Sequence, residues 1–178
     1  MSNKLGIAVS GKSGCGNSTV SGLLSEKLGF DLINYTFRTM AREMGIGFDE
    51  LRALAQEDYG YDLKLDKKQI ELAEKGDCVL GSRLAVWLFT EADFTVYLYA
   101  SPENRAKRIQ TREGGDYEEI FHKTVKRDND DQERYKNIYE IDTEDYSHVD
   151  LVINTEHFSI KEEVELILSA LRIRGLID

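Results

Sequence analysis

Residues 5–19 read Leu-Gly-Ile-Ala-Val-Ser-Gly-Lys-Ser-Gly-Cys-Gly-Asn-Ser-Thr, and their order decides the fold. Leu5 to Ser10 is a short, continuous apolar run, as in a strand buried on both faces. A glycine-rich turn follows. Then Val20, Leu23, Leu24 and Leu28 fall on one helical face, and Gly29 ends it. Strand, glycine turn and helix in that order are the setting of a phosphate-binding loop. Gly11 and Gly16 keep the loop's spacing, with Lys12, Ser13, Gly14 and Cys15 between them. Glycines let successive N–H groups turn inward, and the helix opening at Asn17, Ser18 and Thr19 adds its positive dipole end. Ser18 stands where a hydroxyl would ligate Mg²⁺. A plain glycine turn is the competing reading; the full register with Ser18 favours an anion site. At position 17 the pattern asks for lysine and the chain has asparagine, which donates a hydrogen bond but carries no charge. Lys12 is the nearest cation able to stand in.

Outward from the loop, short apolar runs at 30–34, 77–80, 94–99 and 149–154 predict four more strands. The 35–75 segment reads as helices, with Phe48, Leu51, Leu54 and Ala55 in one stripe and Leu65, Leu72 and Ala73 in another. A helix over 103–113 stops at Gly114-Gly115, and the charged 116–140 stretch is helical. Ser159 and Glu162 form a capping box ahead of a last helix burying Ile160, Val164, Ile167, Leu168 and Leu171. Strands alternating with helices predict an α/β fold, a mostly parallel sheet with helices on both faces. Right-handed crossovers then put ligands at the C-terminal ends of the strands.

The chain's 178 residues suit one domain with one core. A formal net charge of −10 opposes a long nucleic-acid surface but permits a small anion held by clustered arginines and N–H groups. Cys15 and Cys78 have no metal spacing and suggest reduced thiols. The N-terminal apolar run is too short for a signal peptide and no stretch approaches a membrane span, so a cytoplasmic protein is expected. His122, His148 and His157 read as surface residues, and Trp87 with the tyrosine-rich fourth strand as packing.

The basic residues cluster. Arg38 and Arg83 follow the second and third strands, on the loop's side of the sheet, where two planar forks suit one phosphate; solvated surface arginines are the plainer alternative, weaker for Arg83, which sits between apolar runs. Arg127, Asp131 and Arg134 fall at i, i+4 and i+7 of one helix, so Asp131 is placed to orient both arginines. Such a face suits a lid over transferring phosphates; a solvated helix laced with ion pairs is the plainer alternative. Arg108 and Arg112, one turn apart, carry the same two readings.

With these residues in place, the chain resembles the cytidylate-kinase family, especially its short archaeal-type branch. The resemblance rests on GKSGCGNST, Phe37-Arg38, the run from Leu65 to Gly76, Val79-Leu80 with Arg83-Leu84, and Ala92-Asp93. It continues through Arg105-Ala-Lys-Arg108-Ile, then Arg127, Asp131, Arg134-Tyr135 and Tyr139, and ends at Asp150-Leu-Val-Ile153. It implies a five-stranded parallel sheet in three α/β/α layers. The core would span 1–34, 77–105 and 146–178, with a helical monophosphate-binding insertion at 35–76 and a lid at 106–145. It implies transfer of the γ-phosphoryl group of ATP to CMP or dCMP with Mg²⁺. Arg38 and Arg83 would hold the acceptor phosphate, Arg127, Asp131 and Arg134 form the lid motif, and Arg108 and Arg112 lie near ATP. Three positions depart from the family pattern: Asn17 replaces the loop lysine, Tyr35-Thr36 an acidic residue before Phe-Arg, and Gly81-Ser82 a Glu-Gly pair. Those departures keep a second reading open, a nucleotide-binding pseudokinase that regulates without turnover.

Overall fold

In the computed structural model, Gly6–Gly11 is β1 and Asn17–Leu28 is α1, with the glycine loop between them. The structure describes residues 4–178; residues 1–3 of the expected core segment lie outside the described residues. There follow β2 (Asp31–Ile33), α2 (Phe37–Met44), α3 (Phe48–Glu57), α4 (Gly60–Ala73) and β3 (Cys78–Gly81). Next come α5 (Ala85–Leu88), β4 (Phe94–Tyr99), α6 (Pro102–Glu113), α7 (Tyr117–Tyr139), β5 (Leu151–Asn154) and α8 (Ile160–Ile173).

All four strand pairings are parallel, in the order β2-β3-β1-β4-β5. β1 is the central strand. Its Val9 lies opposite Gly81 of β3 and Val96 of β4, and Gly11 opposite Leu98. The loop after β1 therefore leaves the middle of the sheet at its C-terminal edge, where β3 and β4 also deliver their loops.

Side-chain alternation along the strands sorts the core into two layers. Ile7, Val9, Val79, Val96, Leu98 and Ile153 face α1 and α8, meeting Val20, Leu24, Val164 and Ile167. Ala8, Leu80 and Tyr97 face the other way, against Ala73, Ala85, Val86 and Phe89. A separate small cluster of Met40, Ala41, Leu51 and Leu65 joins α2, α3 and α4 to one another. The helical run expected over 35–75 is divided where Gly45 takes a left-handed φ of 72° and again at Asp58, whose carboxylate accepts from the Gly60 amide.

Caps fix the helices at the sheet's C-terminal side. Thr36 accepts from Thr39 N, Ser101 caps α6 just ahead of Pro102, and Ser159 and Glu162 make the expected capping box. Within the described residues no helix is long and apolar enough to cross a membrane.

Candidate active site

The loop between β1 and α1 is a nest of unused donors. Gly14 and Gly16 hold φ of 87° and 92°, a region that a side chain disfavours. Cys15 N donates to Lys12 O at 3.1 Å, tightening the turn. The amides of Ser13, Gly14, Gly16, Asn17 and Ser18 make no hydrogen bond to the described residues. Free N–H groups at the head of a twelve-residue helix favour an anion through both geometry and dipole. Ser18 and Thr19 are exposed on that first turn. Cys15 is buried, and burial raises its thiol pKa despite the nearby Arg105 guanidinium, so only its backbone faces the loop.

Asn17 turns away from the nest. Its Nδ2 donates to Val9 O at 3.0 Å and Ser82 O at 3.2 Å, and its Oδ1 accepts from Ser21 Oγ at 2.9 Å. The side chain thus ties β1, the end of β3 and α1 together. Gly81 leaves room for this: a Cβ there would sit 2.6 Å from Ser21 Oγ and 3.1 Å from Asn17 Oδ1. Two of the family-pattern departures, Asn17 and Gly81-Ser82, belong to one local arrangement.

A cleft opens beside the loop, lined by Gly11, Lys12, Arg83, Trp87, Tyr97, Asp128, Asp131, Tyr135 and Thr143. Lys12 pairs with Glu144 and stands 4.0 Å from Asp128. Arg83, delivered by the turn after β3, pairs with Asp131 of α7. Arg127 Nε lies 4.0 Å from the same carboxylate, and its Nη1 reaches Ser13 Oγ at 3.5 Å. Lys12, Arg83 and Asp131 thereby line one cleft at the mouth of the loop, and Arg127 stands beside it, next to Asp131 and Ser13. Trp87 and Tyr97 pack edge to face at 5.9 Å, and Tyr97 stacks on Tyr146 at 4.5 Å; the packing expected of them also walls the cleft.

Other expected site residues sit elsewhere. Asp131 orients Arg127 and Arg83 rather than Arg134. Arg134 instead pairs with the buried carboxylate of Asp62 on α4 and donates to Ala55 O at 2.7 Å, while its buried Nε has no partner among the described residues. Seven residues keep Arg134 within about 20° of Arg127's face but carry it about 10 Å further along α7, out of reach of the cleft and level with Asp62 of α4. Beside it Tyr139 donates to Asp66 at 2.5 Å, and burial raises Asp66 to about 6. Arg38 is exposed on the first turn of α2, its guanidinium 4.4 Å from the centre of the Phe48 ring. Arg108 reaches the loop from behind, donating to Thr155 O at 2.6 Å, Thr155 Oγ1 at 2.9 Å and Gly14 O at 3.4 Å. Arg112 does not join it: this exposed side chain pairs with its neighbour Glu113.

Three residues at the site had no assigned role in the sequence: Arg105, Asp128 and Glu144. Arg105 lay inside the Arg105-Ala-Lys-Arg108 run, and Asp128 directly follows Arg127, but nothing local marks their pairing. Lys12 and Glu144 are 132 positions apart.

A family model described as the cytidylate kinase-like family matches residues 6–157. A protein named cytidylate kinase 2 from Borrelia garinii subsp. bavariensis is 46% identical over 174 residues, covering 96% of this chain and 98% of its own. The cytidylate kinase of Pyrococcus horikoshii is 38% identical over 159 residues, covering 88% and 83%. Among solved structures, shikimate kinase from Bacteroides thetaiotaomicron superposes with a TM-score of 0.65 at 17% identity, covering 96% of this chain and 99% of its own. Deoxyadenosine kinase from M. mycoides with bound dATP gives 0.58 at 19% identity, covering 94% and 100%. At those identities the structural likeness speaks for the fold, an α/β sheet shared with phosphate-loop kinases.

Proposed function

The chain belongs to the cytidylate kinase-like family, and from that membership we propose that it transfers the γ-phosphoryl group of ATP to CMP. The observation that carries the reading is the loop of free amides at 13, 14 and 16–18 opening onto a cleft that holds Lys12 and Arg83, with Arg127 reaching Ser13 at the loop. Phosphoryl transfer asks a protein for positioning and charge neutralisation more than for covalent chemistry. In this reading the loop amides cradle the donor phosphates. Lys12 supplies the charge that a lysine at 17 would bring, and Arg127 neutralises the moving group. Asp131 aligns Arg127 and Arg83. Arg83 and Arg38 hold the acceptor phosphate, and segments 35–76 and 106–145 act as acceptor-binding and lid regions. Arg108 serves the donor side of the site by holding the loop at Gly14 O.

Mg²⁺ fits the oxygen-rich set made by the exposed Ser18 hydroxyl and the nucleotide's own phosphates, where it would neutralise phosphate charge. Within the described residues no cluster of His, Cys, Asp or Glu forms a separate metal cage. The substrates in this reading are small nucleotides, and the setting is the cytoplasm.

A coupled assay with MgATP and CMP, dCMP, UMP or AMP in turn tests the proposal. Turnover with CMP or dCMP above the others is expected. Nucleotide binding without transfer to any monophosphate would instead favour the regulatory reading, for which the engagement of Asn17 with backbone carbonyls is the specific observation.

A further inference from the structure

Arg105 is the largest fully buried side chain in the described structure, at 1% exposure, and it lies directly behind the loop. Its Nε donates to Ala100 O at 3.1 Å, and its Nη1 donates to Ser13 O and to Asp128 Oδ1, both at 3.1 Å. Nη2 closes a two-pronged pair with the other Asp128 oxygen. Gly14 packs on the same residue: a Cβ at Gly14 would stand 2.9 Å from Arg105 Cβ and 3.0 Å from its carbonyl oxygen. The loop is therefore moulded against α6 at two successive residues.

We propose that Arg105 and Asp128 are positioning residues that tie the α7 helix to the phosphate loop, so that α7 sets the loop's shape. The inference rests on reading residues 11–18 as the phosphate site. A carbonyl turned into an anion nest would repel phosphate, and Arg105 holds the Ser13 carbonyl outward. A buried guanidinium needs a counter-charge, and Asp128, on α7, provides it. Asp128 is also the residue after Arg127 and lies 4.0 Å from Lys12 Nζ. One carboxylate thus fixes the Arg105 prop behind the loop and stands beside Lys12 in front of it. Moving α7 away would strip Arg105 of its partner and release Ser13.

The test uses Asp128→Asn, Arg105→Lys and Asp128→Glu in the full chain. Amide exchange is read over residues 11–20, with melting temperature, MgADP affinity and single-turnover transfer alongside. Asp128→Asn and Arg105→Lys should speed exchange of the Cys15 and Val20 amides about tenfold to a hundredfold, the scale of one charge-assisted hydrogen bond. Exchange in β4 and α8 should stay as in the parent, and single-turnover transfer should slow with the loop. Asp128→Glu, which restores the charge, should recover part of both effects. If Asp128→Asn does not fold, Arg105→Lys and Asp128→Glu make the same comparison. Loop exchange unchanged, or faster only in step with the whole sheet, overturns the proposal. A parent that binds no MgADP sinks the kinase reading, while the exchange comparison still decides the tie between α7 and the loop.

Discussion

The side-chain amide of Asn17 donates to the Val9 carbonyl at 3.0 Å, joining the first turn of α1 to the strand that feeds the loop. Its second acceptor, Ser82 O, lies at the end of β3, and Ser21 Oγ holds the other side of the amide. Position 17 thus frames the loop, and Lys12 is left as the charged side chain of the loop itself.

Asn17→Ala should cost about 1–3 kcal/mol of stability, the scale of buried donors and acceptors left unmatched. Asn17→Asp should cost more despite its equal size, because a carboxylate would face two carbonyl oxygens. Asn17→Lys gives up the same bonds and should also lower the melting temperature. Urea melts of the three variants measure this. An Asp variant as stable as the parent would mean that the Asn17 amide does not donate to the Val9 and Ser82 carbonyls.

Arg38→Ala and Arg83→Ala should each raise the KM for CMP while MgADP affinity stays near the parent's. One charge-assisted contact to phosphate is worth roughly 1.5–3 kcal/mol, or about tenfold to a hundredfold in KM. Arg83→Ala also leaves Asp131 with only the more distant Arg127, so its kcat should fall further than that of Arg38→Ala. Unchanged CMP kinetics in both variants would remove these arginines from the acceptor site.

The sheet was legible in the sequence because each strand is a short apolar run entered from glycine or a charged residue. The predicted strand at 94–99 matches Phe94–Tyr99, and the capping box at Ser159 and Glu162 is present. At the site, local spacing carried the loop and the Arg127–Asp131 pair, which are four residues apart on one helix. It misled at Arg134, because α7 packs on α4 and the buried Asp62 offers a stronger partner than a residue three positions back. Long-range pairs such as Arg105 with Asp128 depend on how α6 folds against α7, which no periodicity encodes.

Lys12→Ala should slow single-turnover transfer by about 10²–10³, the typical loss of one transition-state donor. Its pairing with Glu144, whose side chain is half exposed, is weak enough for an incoming phosphate to displace. Saturating MgATP separates this from weaker binding. A silent Lys12→Ala would move the missing charge to the α7 arginines.

Arg134→Ala should lower stability by leaving the buried Asp62 carboxylate without its cation, a loss below the about 3–5 kcal/mol of a fully buried pair because the Arg134 side chain is partly exposed. Adding Asp62→Asn should restore most of the melting temperature. If the double variant also regains the parent's transfer rate, Arg134 serves structure alone. If stability returns and the rate does not, Arg134 acts in transfer as well.

Glu163 sets a pH dependence remote from the cleft. It is 1% exposed on α8, and its Oε2 has no hydrogen-bond partner among the described residues. Burial raises its carboxyl from 4.5 to about 7, with the Arg108 charge pulling the other way. The folded state therefore holds this proton more tightly than the unfolded chain does. The stability it contributes is fully present below pH 4.5 and is lost as pH rises through 7. Glu163→Gln keeps the neutral shape at every pH. The variant should match the parent near pH 5 and exceed it by about 1–3 kcal/mol at pH 8, where the parent must bury a charge. Urea denaturation at pH 5, 6, 7 and 8 measures the difference. Parent and variant curves that stay parallel across this range would mean that Glu163 remains ionised in the folded state, paired with Arg108.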